Sequence, residues 1–134
     1  MRIWVAMYTI IWLSFFEILL VLFPVSGFTV NTTLHGLLGL GILGFAFYIQ
    51  RAVRKTSCPD RIKRIAVTTF VFAVSQGVLG LALAAGIEMS WGTLYTNVIS
   101  FFHVGISIAI ITQASSSATA FDMWEEKEFQ ATPA

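Results

Sequence analysis

The sequence contains very little cysteine and very little charge. Its single cysteine, Cys58, excludes an internal disulfide bond and any metal site built only from cysteines. Only 11% of the 134 residues are charged, whereas 57% are hydrophobic, and the mean hydropathy is +0.81. These values lie outside the range of ordinary soluble domains, and the net charge of +1 argues against a nucleic-acid-binding surface. The composition predicts a protein whose solvent is a lipid bilayer.

Four long apolar runs occupy most of the chain, and each is long enough to cross a bilayer as a helix. We predict transmembrane helices at about 3–24, 33–51, 64–87 and 95–118. They should form one all-α, four-transmembrane-helix bundle over residues 1–121, followed by a short cytoplasmic tail at 122–134. The length leaves no room for a second domain.

All eight lysine and arginine residues lie on one side of this predicted topology. They precede the first helix, fill the connection between the second and third helices, and occur in the tail: Arg2, Arg51, Arg54, Lys55, Arg61, Lys63, Arg64 and Lys127. Because positive charge beside a span is retained in the cytoplasm, we predict that both termini are cytoplasmic. We expect a multi-pass protein of a prokaryotic plasma membrane.

The two histidines of the chain, His35 and His103, occupy equivalent positions in the second and fourth predicted helices. Both helices run from the outer to the inner face, and each histidine lies a few residues inside the outer face. The two imidazoles should therefore lie within about two helical turns of each other in depth. Neutral imidazole is a good axial ligand for haem iron, and one ligand from each of two helices clamps a flat macrocycle. The pattern predicts bis-histidine ligation of a haem.

A haem also needs space, and small and aromatic residues near the histidines are candidates to form and wall a slot. These are Gly36, Gly39, Gly41, Gly44, Gly77, Gly80, Phe72, Phe101 and Phe102. Small residues in membrane helices equally mark close helix packing, so the glycines alone do not decide between the two roles. His35 lies near enough to the surface to reach water or lipid headgroups instead of a metal.

Two further polar residues lie within predicted spans. Glu17 is in the middle of the first helix, where an ionised carboxylate is costly, so we expect it to be protonated, hydrogen-bonded or paired. It is a candidate proton carrier, or else a neutral acid that bonds to a neighbouring helix. Gln76 in the third helix is a candidate cofactor-binding residue, or a residue that bonds across the bundle. Neither residue identifies a reaction.

Short motifs in the chain resemble one four-helix half of the haem A synthase family. They are Gln-Gly-Val-Leu-Gly at 76–80, His-Val-Gly-Ile-Ser at 103–107, and His35 opening a helix that ends in a basic loop. The resemblance covers roughly the second to fourth helices. Family members have two such halves, one holding a haem b and the other the haem that is oxidised. The resemblance implies that His35 and His103 are the ligands of a haem iron, in haem b or in haem O or A.

The chain departs from that family in three respects. A glutamate lies three residues before the first ligand histidine in the catalytic half of the family, and Thr32 stands there in this sequence. The outer-loop cysteine pair of many members is missing, as is the second four-helix half. We therefore expect a haem-binding, b-type cytochrome-like membrane protein for electron transfer or haem-cofactor handling. A haem A synthase-type oxidoreductase activity stays open.

The alternative is a cofactor-free structural or accessory subunit of a multi-subunit membrane enzyme complex. Transport fits less well, since the sequence shows neither a pair of broken helices nor a cluster of intramembrane charges. On either hypothesis the partners are the lipid bilayer and a second copy of the chain or a larger membrane complex, and not a nucleic acid.

Overall fold

The computed structural model describes residues 2–24 and 27–131. This part of the chain forms four α-helices, α1 (Ile3–Leu22), α2 (Phe28–Val53), α3 (Asp60–Glu88) and α4 (Thr93–Ala131). Consecutive helices pack against each other and α1 also packs against α4, so that α2 and α4 lie at opposite corners of a closed ring. Each helix is long and apolar enough to cross a membrane. The fold is an all-helical bundle of four candidate membrane-spanning helices.

Three of the helices are longer than the sequence predicts. α2 begins at Phe28 and α3 at Asp60, each a few residues before the predicted start. α4 continues to Ala131, so most of the segment predicted as a tail is helical. At 39 residues α4 is about 58 Å long, nearly twice the thickness of a hydrocarbon core. Its hydropathy fades where a lipid span would end, but alanine, glutamate and lysine are good helix formers and the helix continues.

The two ends of the bundle differ in packing. The basic end contains Arg2, the loop 54–59 and the C-terminus of α4, and the histidine end is the opposite end, which contains His35 and His103. The buried hydrophobic side chains of the described chain all lie in the half toward the basic end: Ala6, Met7, Ile10, Ile42, Ala46, Ile49, Val53, Cys58, Ile62, Ala66, Ala73, Ile110, Ala114, Ala118 and Phe121. The half toward the histidine end is more open.

Small residues bring the helices together in the packed half. Ala6, Ala46, Ala66 and Ala114 come one from each helix, and none is more than 3% exposed. Lipid tails are as apolar as the helices, so in a membrane close van der Waals contact between small side chains is a main source of helix association. The four alanines therefore fix the positions of all four helices.

The extension of α4 beyond the predicted span packs against α1. Phe121 is 1% exposed, and its ring lies 5.2 Å, centre to centre, from the ring of Trp124. One residue further along α4, the carboxylate of Asp122 accepts a hydrogen bond from the hydroxyl of Tyr8 at 2.9 Å. The extension thereby ties the last helix to the first and closes the ring at the basic end.

Phe121→Ala should lower the free energy of unfolding by about 3 to 5 kcal/mol, because removing a buried aromatic ring leaves a cavity. Phe129→Ala is the matched control on the same helix, since Phe129 is 86% exposed. Thermal unfolding of the detergent-solubilised variants, followed by circular dichroism, makes the comparison. Equal melting temperatures for the two variants would contradict the packing described.

Candidate functional site

Three polar side chains from three helices meet at the histidine end. The Oε2 atom of Glu17 on α1 contacts the Nδ1 atom of His35 on α2. The ring of His35 lies 5.9 Å, centre to centre, from the ring of His103 on α4, and the two ring planes are inclined by 54°. Because α2 and α4 occupy opposite corners of the ring, the histidines face each other across the interior. The structure thus brings together the two histidines predicted from sequence and adds a carboxyl group.

His35 lies on the face of α2 that packs against α1. Residues three and four positions apart share one face of a helix, and His35, Gly39 and Ile42 follow this spacing into the buried stripe of α2. A Cβ atom at Gly39 would lie 3.6 Å from Oε1 of Glu17. The lack of a side chain at position 39 leaves room for the carboxyl group beside His35.

His103 lies against a glycine of α3. A Cβ atom at Gly80 would come within 3.3 Å of Cε1 of His103, a separation tighter than most side chains accept. The backbone carbonyl of His103 accepts a hydrogen bond from the Ser107 hydroxyl at 3.0 Å, and the side-chain amide of Gln76 donates to that same hydroxyl. Gln76 therefore bonds across the bundle, which is one of the two roles expected from the sequence. Its partner Ser107 was not identified from the sequence, although Ser107 lies four residues after His103 on the same helical face.

The glycines expected around a cofactor divide into two sets. Those at which a Cβ atom would lie within 4 Å of a side chain on another helix are Gly39, Gly41 and Gly80. Those that face open space are Gly36, Gly44 and Gly77. The second set lies on exposed helix faces, so only the first set provides space within the bundle.

The expectation that Phe101 and Phe102 wall the site is wrong, because these side chains are 75% and 53% exposed. They precede His103 by two residues and one residue, which are rotations of about 200° and 100° around the helix. Turning His103 inward therefore turns both rings outward. Phe72 is partly buried and packs against the apolar core.

The carboxyl group beside His35 comes from α1 and not from α2, where Thr32 occupies the position three residues before the histidine. The sequence identified Glu17 as an acid inside a span, but it did not show which helix the acid would face. The signal available was its predicted depth, close to that of the histidines. The structure shows that Glu17 contacts a histidine on the neighbouring helix.

The spacing of the two imidazoles matches the spacing that a haem iron held between them would require. With metal–nitrogen bonds of about 2 Å on each side, the two ligand nitrogens lie about 4 Å apart and the ring centres about 6 Å apart. The observed distance between ring centres is 5.9 Å. Since Glu17 contacts Nδ1 of His35, the Nε2 atom of that ring is the one left for a metal.

Among the described residues, no group of three or more His, Cys, Asp and Glu side chains is arranged to hold a metal ion. Two protein ligands are too few for most protein-bound metals, which take four to eight. They are sufficient for an iron that arrives with four nitrogen ligands of its own, as in a haem. The donor set therefore fits a haem better than a free metal ion.

Comparison of the chain with protein-family models, with curated proteins and with solved structures finds no match. The function of the chain is therefore inferred from the geometry of this site and from the sequence motifs that contain its residues.

Gly39→Leu should displace the carboxyl group of Glu17, since a Cβ atom at position 39 already lies 3.6 Å from Oε1. Overpacking of this kind costs about 1 to 3 kcal/mol. Gly36→Leu on the same helix is the control, because a Cβ atom there meets nothing within 4 Å. Thermal unfolding in detergent should give a lower melting temperature for Gly39→Leu than for Gly36→Leu. The reverse order would place the carboxyl group elsewhere.

Proposed function

We propose that this chain is a membrane-embedded, b-type cytochrome-like protein that carries electrons, with His35 and His103 as the axial ligands of one haem iron. The observation that supports the proposal most strongly is the approach of two imidazoles from opposite corners of a four-helix bundle, with 5.9 Å between their centres. A histidine inside a membrane span is energetically costly and usually has a function, and these two histidines lie together.

Four residues of the chain would hold a haem, each in a different way. A bound haem supplies one-electron redox chemistry at its iron. His35 and His103 present one nitrogen each from opposite sides, and Glu17 orients the ring of His35 through Nδ1. The absence of a side chain at Gly80 gives the ring of His103 its place beside α3. A haem held by two protein ligands would carry electrons rather than act on an organic substrate.

The resemblance to haem A synthases supports haem binding but not haem oxidation. The histidine pair of one family half is present, whereas the catalytic glutamate expected before the first histidine is replaced by Thr32. The proposal therefore extends to haem binding and electron transfer and ends there.

The proposed orientation places the basic end in the cytoplasm and the histidine end toward the outer face of the membrane. Support comes from the positive charge, since all eight lysines and arginines belong to the basic end. The haem would then lie in the outer half of the membrane, close to redox partners on that side.

Protein purified in detergent should show the Soret band of a haem, and the double variant His35→Ala/His103→Ala should lose it. Gln76→Leu is the control and should keep the band, because the Gln76 amide donates to Ser107 and not to an imidazole. Absorption spectra at matched protein concentration make the comparison. A wild-type protein without a Soret band, or an unchanged band in the double variant, would overturn the proposal and favour a cofactor-free subunit.

Reporter fusions test the topology. Green fluorescent protein fused after residue 134 should fluoresce, and alkaline phosphatase at that position should be inactive, because the C-terminus is cytoplasmic. Alkaline phosphatase inserted into the turn between α3 and α4, at residues 89–92, should be active. The opposite pattern would show that the charge does not set the orientation as proposed.

A further inference from the structure

The two histidines differ in what lies beside their Nδ1 atoms. Nδ1 of His35 contacts the carboxyl group of Glu17, whose side chain is 13% exposed. Nδ1 of His103 is buried and lies toward the backbone carbonyl of Gln76. One ring of the pair is therefore held by a carboxyl group, whereas the second nitrogen of the other ring faces only a neutral backbone carbonyl.

This difference matters for any metal on the other side of each ring. A carboxylate that accepts a hydrogen bond from Nδ1 fixes the tautomer and the orientation of an imidazole and makes Nε2 a stronger donor. Loss of such a partner commonly weakens metal affinity about tenfold to a hundredfold. His35 faces a carboxyl group and His103 a neutral carbonyl, which is the weaker acceptor, so the two bonds to an iron would be unequal in strength.

Resting on the haem site proposed above, we infer that Glu17 makes His35 the firmly held axial ligand and leaves His103 the ligand that a small neutral molecule displaces. The displaceable position is a binding site for a diatomic ligand of the class of carbon monoxide or nitric oxide. Glu17 is a positioning residue in this account, since it acts through His35.

The surroundings of His103 are suited to such displacement. The neighbour across the interface with α3 is Gly80, which has no side chain to lock the ring. The hydrogen bond from Ser107 goes to the backbone carbonyl of His103 and not to its ring. The half of the bundle toward the histidine end contains none of the buried hydrophobic side chains of the core.

A simpler role for Glu17 is to hold α1 against α2 through a polar contact within the membrane. That role predicts a loss of stability on substitution, with the same haem properties per folded molecule. The positioning role predicts a change in the properties of the haem itself. The experiments below separate the two by measuring haem affinity and reduction potential on folded protein.

The first experiment compares the single histidine variants as full-length protein in detergent. His103→Ala should keep most of its haem and, when reduced, should bind carbon monoxide with a shifted Soret band. His35→Ala should retain at least about tenfold less haem, because it loses the supported ligand. The reduced wild-type protein should also give the shifted band with carbon monoxide, at higher gas concentration than His103→Ala requires.

The second experiment changes the positioning residue. Glu17→Leu should lower haem affinity about tenfold to a hundredfold and move the reduction potential in the positive direction, since a weaker donor stabilises the ferric iron less. Glu17→Gln keeps a hydrogen-bond acceptor and should lie between Glu17→Leu and the wild type. Ser14→Ala is the matched control, because Ser14 is a buried residue about one turn away on α1 whose hydroxyl has no hydrogen-bond partner. It should leave affinity and potential unchanged.

The outcomes distinguish this inference from the proposed function. A wild-type protein without haem overturns both. A wild-type protein with haem, together with equal haem loss in His35→Ala and His103→Ala, overturns the inference alone. If His35→Ala does not fold, the comparison of Glu17→Leu with Ser14→Ala decides. Equal affinity and equal potential in those two variants would overturn the positioning role.

Discussion

Close approach of the four helices in the half toward the basic end is the constraint on which the rest of the structure depends. Ala6, Ala46, Ala66 and Ala114 allow this approach, and the extension of α4 secures it through Phe121 and the hydrogen bond between Tyr8 and Asp122. In a membrane, where apolar surface gains little by leaving lipid, this contact must hold the bundle together. The half toward the histidine end can therefore contain polar residues and pack less closely.

The polar residues of the histidine end are arranged to relieve the cost of placing them in lipid. Glu17 contacts His35, and the side-chain amide of Gln76 donates to Ser107 between α3 and α4. Nδ1 of His103 is one of several buried polar atoms without a hydrogen bond. Histidines inside a span are costly and these two lie together, which is why we attribute to the pair a role that packing alone does not provide.

Helix direction and residue count were enough to predict that His35 and His103 lie at similar depth, because depth in a span follows from distance along the helix. Rotation of each helix about its axis was not available from the sequence. For that reason the contact of Glu17 with His35 was missed, and Phe101 and Phe102 were placed in the site although they are exposed. The helical extension of α4 was underestimated because loss of apolar character was taken as the end of the element.

The pyridine haemochrome spectrum of the purified wild-type protein shows whether the histidine pair binds a haem. We expect the spectrum of haem b at close to one haem per chain, with protein measured independently by amino-acid analysis. A preparation that is folded by circular dichroism and carries no haem, even after growth with added haem precursor, would contradict it.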